Sequence, residues 1–314
     1  MNPLDEITSP EILAYRLTAT HSAELEKVKA IFNWITENID YAVRSYNSNR
    51  YALIYDDEDD DTSSIFETLD QRVAKLVLKR KTAVCDGYAR LFKTVCGYAG
   101  IKSEVITGYA RTGTARQFRC NHKWNAVLID CKWYLLDVTW ASGYLNFSGN
   151  EFIRDYNGSY FLTPPQHFIY DHYPEDLQWT LLDNPPTLRE YNHAPFKNTA
   201  YQKFNIVSYK PAKGIIETSV GDSIQIELET NDTRKNLRVS DTLSIDSAVL
   251  SGTGCEDVKP VCTINGKKVS STYKVSSSTV QWLQVIFNNE VIMRYKLNIK
   301  RSDAAEVNAD KNLA

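Results

Sequence analysis

The sequence is poor in the residues that would indicate a disulfide scaffold, a metal centre, a nucleic-acid-binding surface or a membrane span. Six cysteines in 314 residues are too few for a disulfide framework. Neither a CxxC nor an HExxH spacing occurs, so we predict no metal and no cofactor. The net charge of −3 lacks the basic excess of nucleic-acid-binding proteins, and no apolar run reaches the roughly 18 residues of a membrane-spanning helix. With 43% hydrophobic and 24% charged residues, the composition predicts an ordinary soluble globular protein.

The N-terminal segment, MNPLDEITSPEILAY, has no basic stretch followed by an apolar core, so it does not predict a signal peptide. Two localisations stay open. The protein is cytoplasmic if Met1 is its native first residue, and periplasmic or secreted if a signal peptide has been removed. The sequence does not discriminate between the two, and it does not indicate an oligomeric state.

A cysteine stands at the start of a predicted helix. Apolar residues after Cys85 recur at three- and four-residue steps, which is the period of an amphipathic helix, and Gly100 is typical of the position that ends one. These apolar residues are Tyr88, Leu91, Phe92, Val95, Cys96 and Ala99. Unpaired N–H groups and the positive end of the helix dipole stabilise a thiolate at a helix N-terminus. We therefore predict that Cys85 is reactive, and that Cys96, on the apolar face, is a buried core residue.

Two strand-like runs, KWNAVLI and WYLLDVT, follow this helix and predict a hairpin. If residues 130–131 form a two-residue turn, Ile129 pairs with Lys132. His122 and Asp137 then lie on the same face of the hairpin, one diagonal step apart at roughly 7–8 Å between Cα atoms. A turn with an odd number of residues would place them on opposite faces. A two-residue turn requires positive φ, which a cysteine adopts at some cost, so a longer turn is the open alternative.

Cys85, His122 and Asp137 together predict a catalytic triad. A thiol nucleophile needs a base within hydrogen-bonding reach, and the base needs a partner that fixes its tautomer. Taken singly, each residue has a structural explanation, as a buried cysteine, a hydrogen-bonded histidine or a surface aspartate. The three residue types occur as an ordered set, each on a suitable element, and this combination favours catalysis.

Several segments around these residues resemble the core of the transglutaminase-like superfamily, and more closely its kyphoscoliosis-peptidase-type branch. They are VCDGYA at 84–89, AGI at 99–101, HKWN at 122–125 and WYLLDVTW at 133–140. IFNWI at 31–35 and HYPED at 172–176 extend the likeness to about residues 10–195. By this resemblance, Cys85 is the nucleophile, His122 the general base and Asp137 the residue that orients it. The resemblance also implies a papain-like α+β core in circularly permuted order.

The character of the sequence changes near residue 200, where short alternating apolar runs begin. They recur about every 8–12 residues, which is typical of a small β-sandwich. We therefore predict an α+β chain with a transglutaminase-like catalytic domain over residues 1–195. An all-β immunoglobulin-like sandwich is expected over residues 196–301, and a disordered tail over residues 302–314.

The resemblance implies an enzyme that performs thiol acyl transfer at an amide of a protein or peptide substrate. Three reactions stay open, namely peptide hydrolysis, glutamine deamidation and cross-linking. The alternative is a catalytically silent scaffold that binds proteins through the same fold, because a fold does not imply a function.

Two further groups of residues carry weaker expectations. Four basic residues predict a basic rim to the cleft, which would favour acidic substrates; they are Arg111, Arg116, Arg119 and Lys123. Three histidines stand among proline and aromatic residues, at positions 167, 172 and 193. We predict that all three are structural, since the resemblance gives none of them a catalytic role.

Overall fold

The computed structural model describes residues 8–43, 67–111, 120–146, 149–197, 199–242 and 262–300. The chain divides into two units, one of Met1–Ala110 with Phe118–Pro185 and one of Arg111–Gln117 with Pro186–Ala314. The division after Pro185 lies nearer the N-terminus than the boundary expected after residue 195. The predicted tail over residues 302–314 lies outside the described residues.

The first unit holds six α-helices within the described residues, and several begin at a polar cap. They are α1 (Pro10–Thr18), α2 (Glu24–Asn38), α3 (Leu69–Arg80), α4 (Cys85–Tyr98), α5 (Val138–Ser142) and α6 (Pro165–Phe168), with 3₁₀ turns at Gly158–Tyr160 and Leu177–Thr180. Helix α3 begins at Leu69, where Thr68 and Gln71 form a capping box. At the start of α2 the N-cap position is occupied by Ala23, which makes no side-chain cap.

The strands of the first unit build one main sheet and two small ones. They are β1 (Asp40–Tyr41), β2 (Thr82–Ala83), β3 (Ser103–Ala110), β4 (His122–Ile129), β5 (Lys132–Leu136), β6 (Gly143–Leu145), β7 (Phe152–Arg154) and β8 (His172–Pro174). The main sheet is antiparallel in the order β5-β4-β3-β8, and its long central strands are β3 and β4. β1 and β2 pair in parallel beside the start of α4.

The β4–β5 hairpin has the register expected for a two-residue turn. Ile129 pairs with Lys132, as predicted. Asp130 and Cys131 have φ angles of 48° and 62°, and positive φ at both central residues is the mark of a type I′ turn. The cysteine is therefore accommodated in a left-handed conformation, and the longer turn is excluded.

Helix α4 lies at the centre of the first unit's core. Its residues Tyr88, Leu91, Phe92 and Val95 are fully buried, and it packs against α1, α3 and β4. Burial of each such side chain contributes about 1.5–3 kcal/mol to folding. A Cβ at Gly87 would lie 2.7 Å from the Cβ of Ala83, so this glycine lets the first turn of α4 approach β2. The position of Cys85 is thus set by a helix anchored in the core of the unit.

The segment after α5 consists of short elements. β6 and β7 form a small antiparallel hairpin. The 3₁₀ turn at Gly158–Tyr160 follows, and an isolated bridge then joins Thr163 to Leu135. These short elements are too brief to leave a periodic signal in the sequence.

The second unit is mostly β-structure. Its elements are α7 (Leu188–His193), β9 (Phe196–Lys197), α8 (Thr199–Gln202), β10 (Ile206–Lys210), β11 (Ile215–Ser219), β12 (Ser223–Thr230), β13 (Leu237–Thr242), β14 (Cys262–Asn265), β15 (Lys268–Lys274), β16 (Trp282–Phe287) and β17 (Glu290–Lys300). One sheet has the order β10-β12-β15-β14 and the other β11-β17-β16-β13. Alternate residues of β12, namely Ile224, Ile226 and Leu228, are buried. The chain is therefore a mixed α and β protein with many strands, as expected from its sequence.

Candidate active site

Cys85 is the first residue of α4 and faces a cleft of the first unit. The backbone of Val84 is extended, with φ −89° and ψ 176°, and the helix begins immediately after it. The cleft has a volume of about 920 Å³, and Cys85, His122 and Cys120 contribute to its lining. Cys85 is half-buried, whereas Cys96 is fully buried on the same helix, as predicted. The helix start thus presents one thiol to the cleft and hides the other.

His122 and Asp137 lie side by side below this thiol. His122 begins β4 and is 8% exposed, while Asp137 is fully buried. The His122 Nε2–H group donates to Asp137 Oδ2 at 2.7 Å. This bond leaves the other ring nitrogen of His122 for the sulfur of Cys85, which is hydrogen-bonded to the imidazole. The structure therefore brings together the three residues that the sequence singled out.

The electrostatics of the three groups favour a thiolate and an imidazolium. Burial opposes ionisation of Cys85, but the hydrogen bond and charge of His122 and the Lys123 backbone outweigh it and lower the pKa of the thiol. Burial likewise disfavours the charged form of His122, but the adjacent Asp137 carboxylate and Cys85 raise the pKa of the imidazole. The pair is thus stabilised in its charged form, which is the reactive form of a thiol.

Asp137 has a second task, because it ends the hairpin and starts the next helix. It was expected on a strand, but β5 stops at Leu136 and Asp137 is the N-cap of α5. Its Oδ1 accepts hydrogen bonds from the N–H groups of Thr139 at 2.8 Å and Trp140 at 3.1 Å. Burial would favour the neutral acid, but the charges and hydrogen bonds of His122 and His172 lower the pKa of the carboxyl. The helix start therefore fixes the carboxylate in both position and charge.

His172 is a member of this cluster that the sequence did not predict. It lies at the start of β8, is fully buried, and contacts Asp137 Oδ2 through Nε2 at 3.0 Å. Its Nδ1 contacts Asp171 Oδ1 at 2.6 Å. The structural role expected of His172 stays a prediction, to which the structure adds the contact with Asp137. The ring of His167 lies beside that of Tyr170, and His193 Nδ1 contacts Arg189 O. The only available signal was its place at the head of the HYPED segment, within the stretch that carries the resemblance.

Ion pairs join the neighbours of the thiol and the imidazole. Asp86, next to Cys85, accepts hydrogen bonds from Lys123, which follows His122, and from Arg90 Nε at 2.9 Å. The side-chain amide of buried Asn125 donates to Ala89 O at 2.9 Å. These bonds tie the start of α4 to β4, and they hold the sulfur beside the ring.

The expected basic rim is not formed as predicted. The Arg111 side chain is buried in the second unit, where its guanidinium lies 4.5 Å from the ring centre of Tyr191 and donates to Ala194 O at 3.2 Å. Lys123 lines the cleft, but its charge is paired with Asp86. Arg116 and Arg119 lie outside the described residues. Arg111 and Lys123, the two of these residues that the structure describes, therefore do not support a preference for acidic substrates.

The cluster also contains the residue types of a metal site. The ligand atoms of His122, Asp137 and His172 all lie within 4.8 Å of one another. Zinc bonds of about 2.0–2.2 Å in tetrahedral geometry would hold two ligand atoms about 3.4 Å apart. The observed separation of 2.7 Å between His122 Nε2 and Asp137 Oδ2 is that of a hydrogen bond and leaves no room for an ion between them. These residues therefore do not fit a metal as they stand.

Residues 11–138, which span α1 to the start of α5 and include all three predicted triad positions, match the family model of the transglutaminase-like superfamily. This part of the chain belongs to the superfamily. The resemblance described from the sequence is thereby confirmed. Cys85, His122 and Asp137 lie together in the structure, and all three fall within the residues that match the transglutaminase-like family. The described residues of this transglutaminase-like chain contain no helix both long and apolar enough to cross a membrane.

Relatives of this transglutaminase-like chain include two animal proteins. Kyphoscoliosis peptidase of Mus musculus is 32% identical over 217 residues, which cover 67% of this chain and 30% of that protein. Hillarin of Drosophila melanogaster is 28% identical over 210 residues, covering 62% of this chain and 23% of its own length. The chain thus spans less than a third of the length of these relatives. A solved structure described as a TGase is 21% identical over 48% of this chain and 36% of its own, with a TM-score of 0.28, which is too low to support any argument.

Proposed function

We propose that the transglutaminase-like unit is a cysteine acyltransferase or protease that acts at an amide carbonyl of a protein or peptide. The observation that carries this proposal is that Cys85 and His122 line one cleft, while buried Asp137 is hydrogen-bonded to His122 at 2.7 Å. Cys85 is the proposed nucleophile, His122 the proposed general acid and base, and Asp137 the proposed orienting residue.

The proposed reaction needs only these groups and the substrate. The Cys85 thiolate attacks the carbonyl carbon and forms a C–S bond. The C–N bond then breaks, and the leaving amine or ammonia takes its proton from the His122 imidazolium. Water or a second amine attacks the thioester, gives a proton to neutral His122 and releases the acyl product with the thiolate. Water gives hydrolysis or deamidation, whereas an amine gives cross-linking.

The start of α4 supplies the proposed site for the negative oxygen that develops during attack. N–H groups in the first turn of a helix have no acceptor within the helix. The backbone N–H of Cys85 is therefore the proposed first donor to this oxygen. The positive end of the helix dipole lies at the same place, and it stabilises both this negative oxygen and the thiolate.

Selective alkylation tests the proposal. Wild-type protein is treated with limiting iodoacetamide at pH 6, and the labelled cysteines are mapped by mass spectrometry. We expect Cys85 to react first, because its pKa is lowered, and ahead of the more exposed Cys131. The His122→Ala variant should lose this preference. Labelling that follows exposure alone, with Cys131 first in both proteins, would contradict an activated thiol and favour the catalytically silent scaffold.

A glutamine-containing peptide then selects among the reactions. Cleaved peptide, released ammonia without cleavage, and incorporation of a labelled amine identify hydrolysis, deamidation and cross-linking respectively. The matched control is Cys85→Ser, which keeps the side-chain shape but lacks the thiol. Cys131→Ser should act as wild type, since this exposed turn residue lies outside the cleft lining.

We also propose that the second unit is the immunoglobulin-like sandwich expected over residues 196–301. Its strand order supports this assignment. If the letters A to G are given in chain order to β10, β12, β13, β14, β15, β16 and β17, the two sheets read ABED and GFC. That is the order of the constant-type immunoglobulin fold. β11 adds a parallel partner to the last strand, and the sequence offers no chemical cluster in this unit.

A further inference from the structure

His172 occupies an unusual position behind the proposed triad. Both of its ring nitrogens contact carboxylate oxygens, Nε2 on Asp137 at 3.0 Å and Nδ1 on Asp171 at 2.6 Å. Asp137 Oδ2 is the same oxygen that accepts the hydrogen bond from His122. One carboxylate oxygen is therefore shared by two imidazole rings, whose centres lie 5.4 Å apart.

Hydrogen-bond counting determines the charge of this ring. A neutral imidazole has one donor and one acceptor nitrogen, so it can satisfy only one of two carboxylates. An imidazolium donates from both nitrogens and satisfies both. The second oxygen of Asp171 accepts from the Tyr160 hydroxyl at 2.9 Å, as an ionised carboxylate does. The geometry is therefore that of a cation held between two anions.

Aromatic rings enclose the same side chain. The ring of Phe168 is stacked on His172 at 4.3 Å between centres, and those of Trp140 and Trp124 lie at 4.5 and 5.0 Å. These rings exclude water, and a charge in such a place acts strongly on its neighbours because solvent screens it little. Burial disfavours the charged form, but Asp171 and Asp137 outweigh it and raise the pKa of His172.

We propose that His172 is a positioning residue that stays an imidazolium through neutral pH and tunes the proposed Cys85–His122 pair through Asp137. This inference rests on the proposed function. The fixed cation offsets part of the Asp137 charge, so the carboxylate holds the proton on His122 less tightly. His122 can then release that proton to a leaving amine, and the cation also favours the nearby thiolate of Cys85.

The groups that face His172 come from four elements of the first unit. They are Asp171 beside it in the chain, Asp137 at the start of α5, His122 on β4 and Tyr160 at the end of its 3₁₀ turn. Two carboxylates thus face two imidazoles, with the hydroxyl of Tyr160 neutral because burial raises its pKa. Loss of the positive charge on His172 therefore leaves the group with a net negative charge.

The direction in which the His122 midpoint moves when His172 is replaced distinguishes an electrostatic role of His172 from a purely structural one. Without the cation, Asp137 and its surroundings are more negative, so the midpoints for His122 deprotonation and for Cys85 ionisation both rise. From the 5.4 Å separation and an effective dielectric constant of about 20, we expect a rise of about two pH units at His122. If His172 only supported the fold, its loss would loosen the pair, and the His122 midpoint would instead fall toward its ordinary value of about 6.5.

Histidine NMR on the full chain tests the proposal without any substrate. The chain has five histidines, so ¹³C-labelled histidine gives few signals to assign. In the wild type, the His172 signal should keep its imidazolium shift beyond pH 8. His172→Gln keeps a donor without the charge and should raise the His122 midpoint. Asp171→Asn should shift it in the same direction, because it removes the anion that holds the charge on His172.

Tyr160→Phe is the matched control, since it removes a hydrogen bond to Asp171 but no charge, and it should leave the His122 midpoint nearly unchanged. A wild-type His172 that titrates near pH 6.5, or a His122 midpoint that is unchanged or lower in His172→Gln, would overturn the proposal. The alkylation rate of Cys85 separates the two proposals. An ordinary thiol profile in the wild type refutes the proposed function, whereas a low thiol midpoint that His172→Gln leaves unmoved refutes only the role of His172.

Discussion

The substitution Asp137→Asn isolates the charge on which the cluster depends. Asparagine caps a helix as well as aspartate does, so the start of α5 is retained. The variant loses the anion that accepts from His122 at 2.7 Å and His172 at 3.0 Å, both within the buried interior. Breaking a buried charge pair by removing one partner costs about 3–5 kcal/mol. For a domain of 150–250 residues, this loss corresponds to a fall in Tm of about 6–20 °C.

The loss should depend on pH in a defined way. The folded pKa of Asp137 is lowered, so its contribution is present above the unfolded value of about 3.9 and is lost as pH falls through the folded value. The pKa values of His122 and His172 are raised in the folded state. Their contribution is complete below about 6.5 and is lost as pH rises through the folded values. The difference between wild type and variant should therefore be largest between about pH 4 and 6.5 and decrease above that range.

Urea unfolding followed by tryptophan fluorescence measures this difference, because five of the six tryptophans belong to the first unit. Asp137→Ala is the comparison variant. It loses the helix cap as well, and should be less stable than Asp137→Asn by about 1 kcal/mol. A difference between wild type and Asp137→Asn below about 1 kcal/mol across pH 4–6.5 would refute the buried charge cluster.

Two predictions concern the backbone around the site. Gly108→Ala should destabilise the first unit by about 1–3 kcal/mol in urea unfolding, because the new Cβ would lie 2.3 Å from Tyr173 O and 2.4 Å from Trp124 Cη2; unchanged stability would show that β8 does not pack against β3 as described. Cys131→Gly should raise stability by about 0.5–1 kcal/mol, since Cys131 has a φ of 62° that glycine adopts without strain. A lower urea midpoint for this variant would contradict the type I′ turn.

The convergence of Cys85, His122 and Asp137 was predictable because it depends on local rules. Helical period places the cysteine at a helix start, and the two-residue periodicity of a hairpin decides which side chains share a face. The observed pairing of Ile129 with Lys132 is the register on which that argument relied. The position of Asp137 within a helix cap was missed, because the strand-like run continued in sequence beyond the point where the strand ends.

The contribution of His172 could not be predicted by the same means. Its position follows from the pairing of Ala110 with His172, which joins β3 to a short strand far along the chain. No local periodicity sets a long-range pairing of that kind. Arg111 illustrates the same limit. A basic residue in a polar run is expected at the surface, yet Arg111 is buried against a ring and a carbonyl that lie 80 or more residues away in the sequence.

The type I′ turn at Asp130 and Cys131 has a practical consequence. It presents a single sulfhydryl at the outer tip of a hairpin, on the far end of the same strand that begins with His122. A fluorophore or spin label attached there would travel with β4 and would report any shift of that strand when a peptide enters. The same tip would also crosslink two molecules under oxidising storage, so a reductant or a serine at this position would keep preparations uniform.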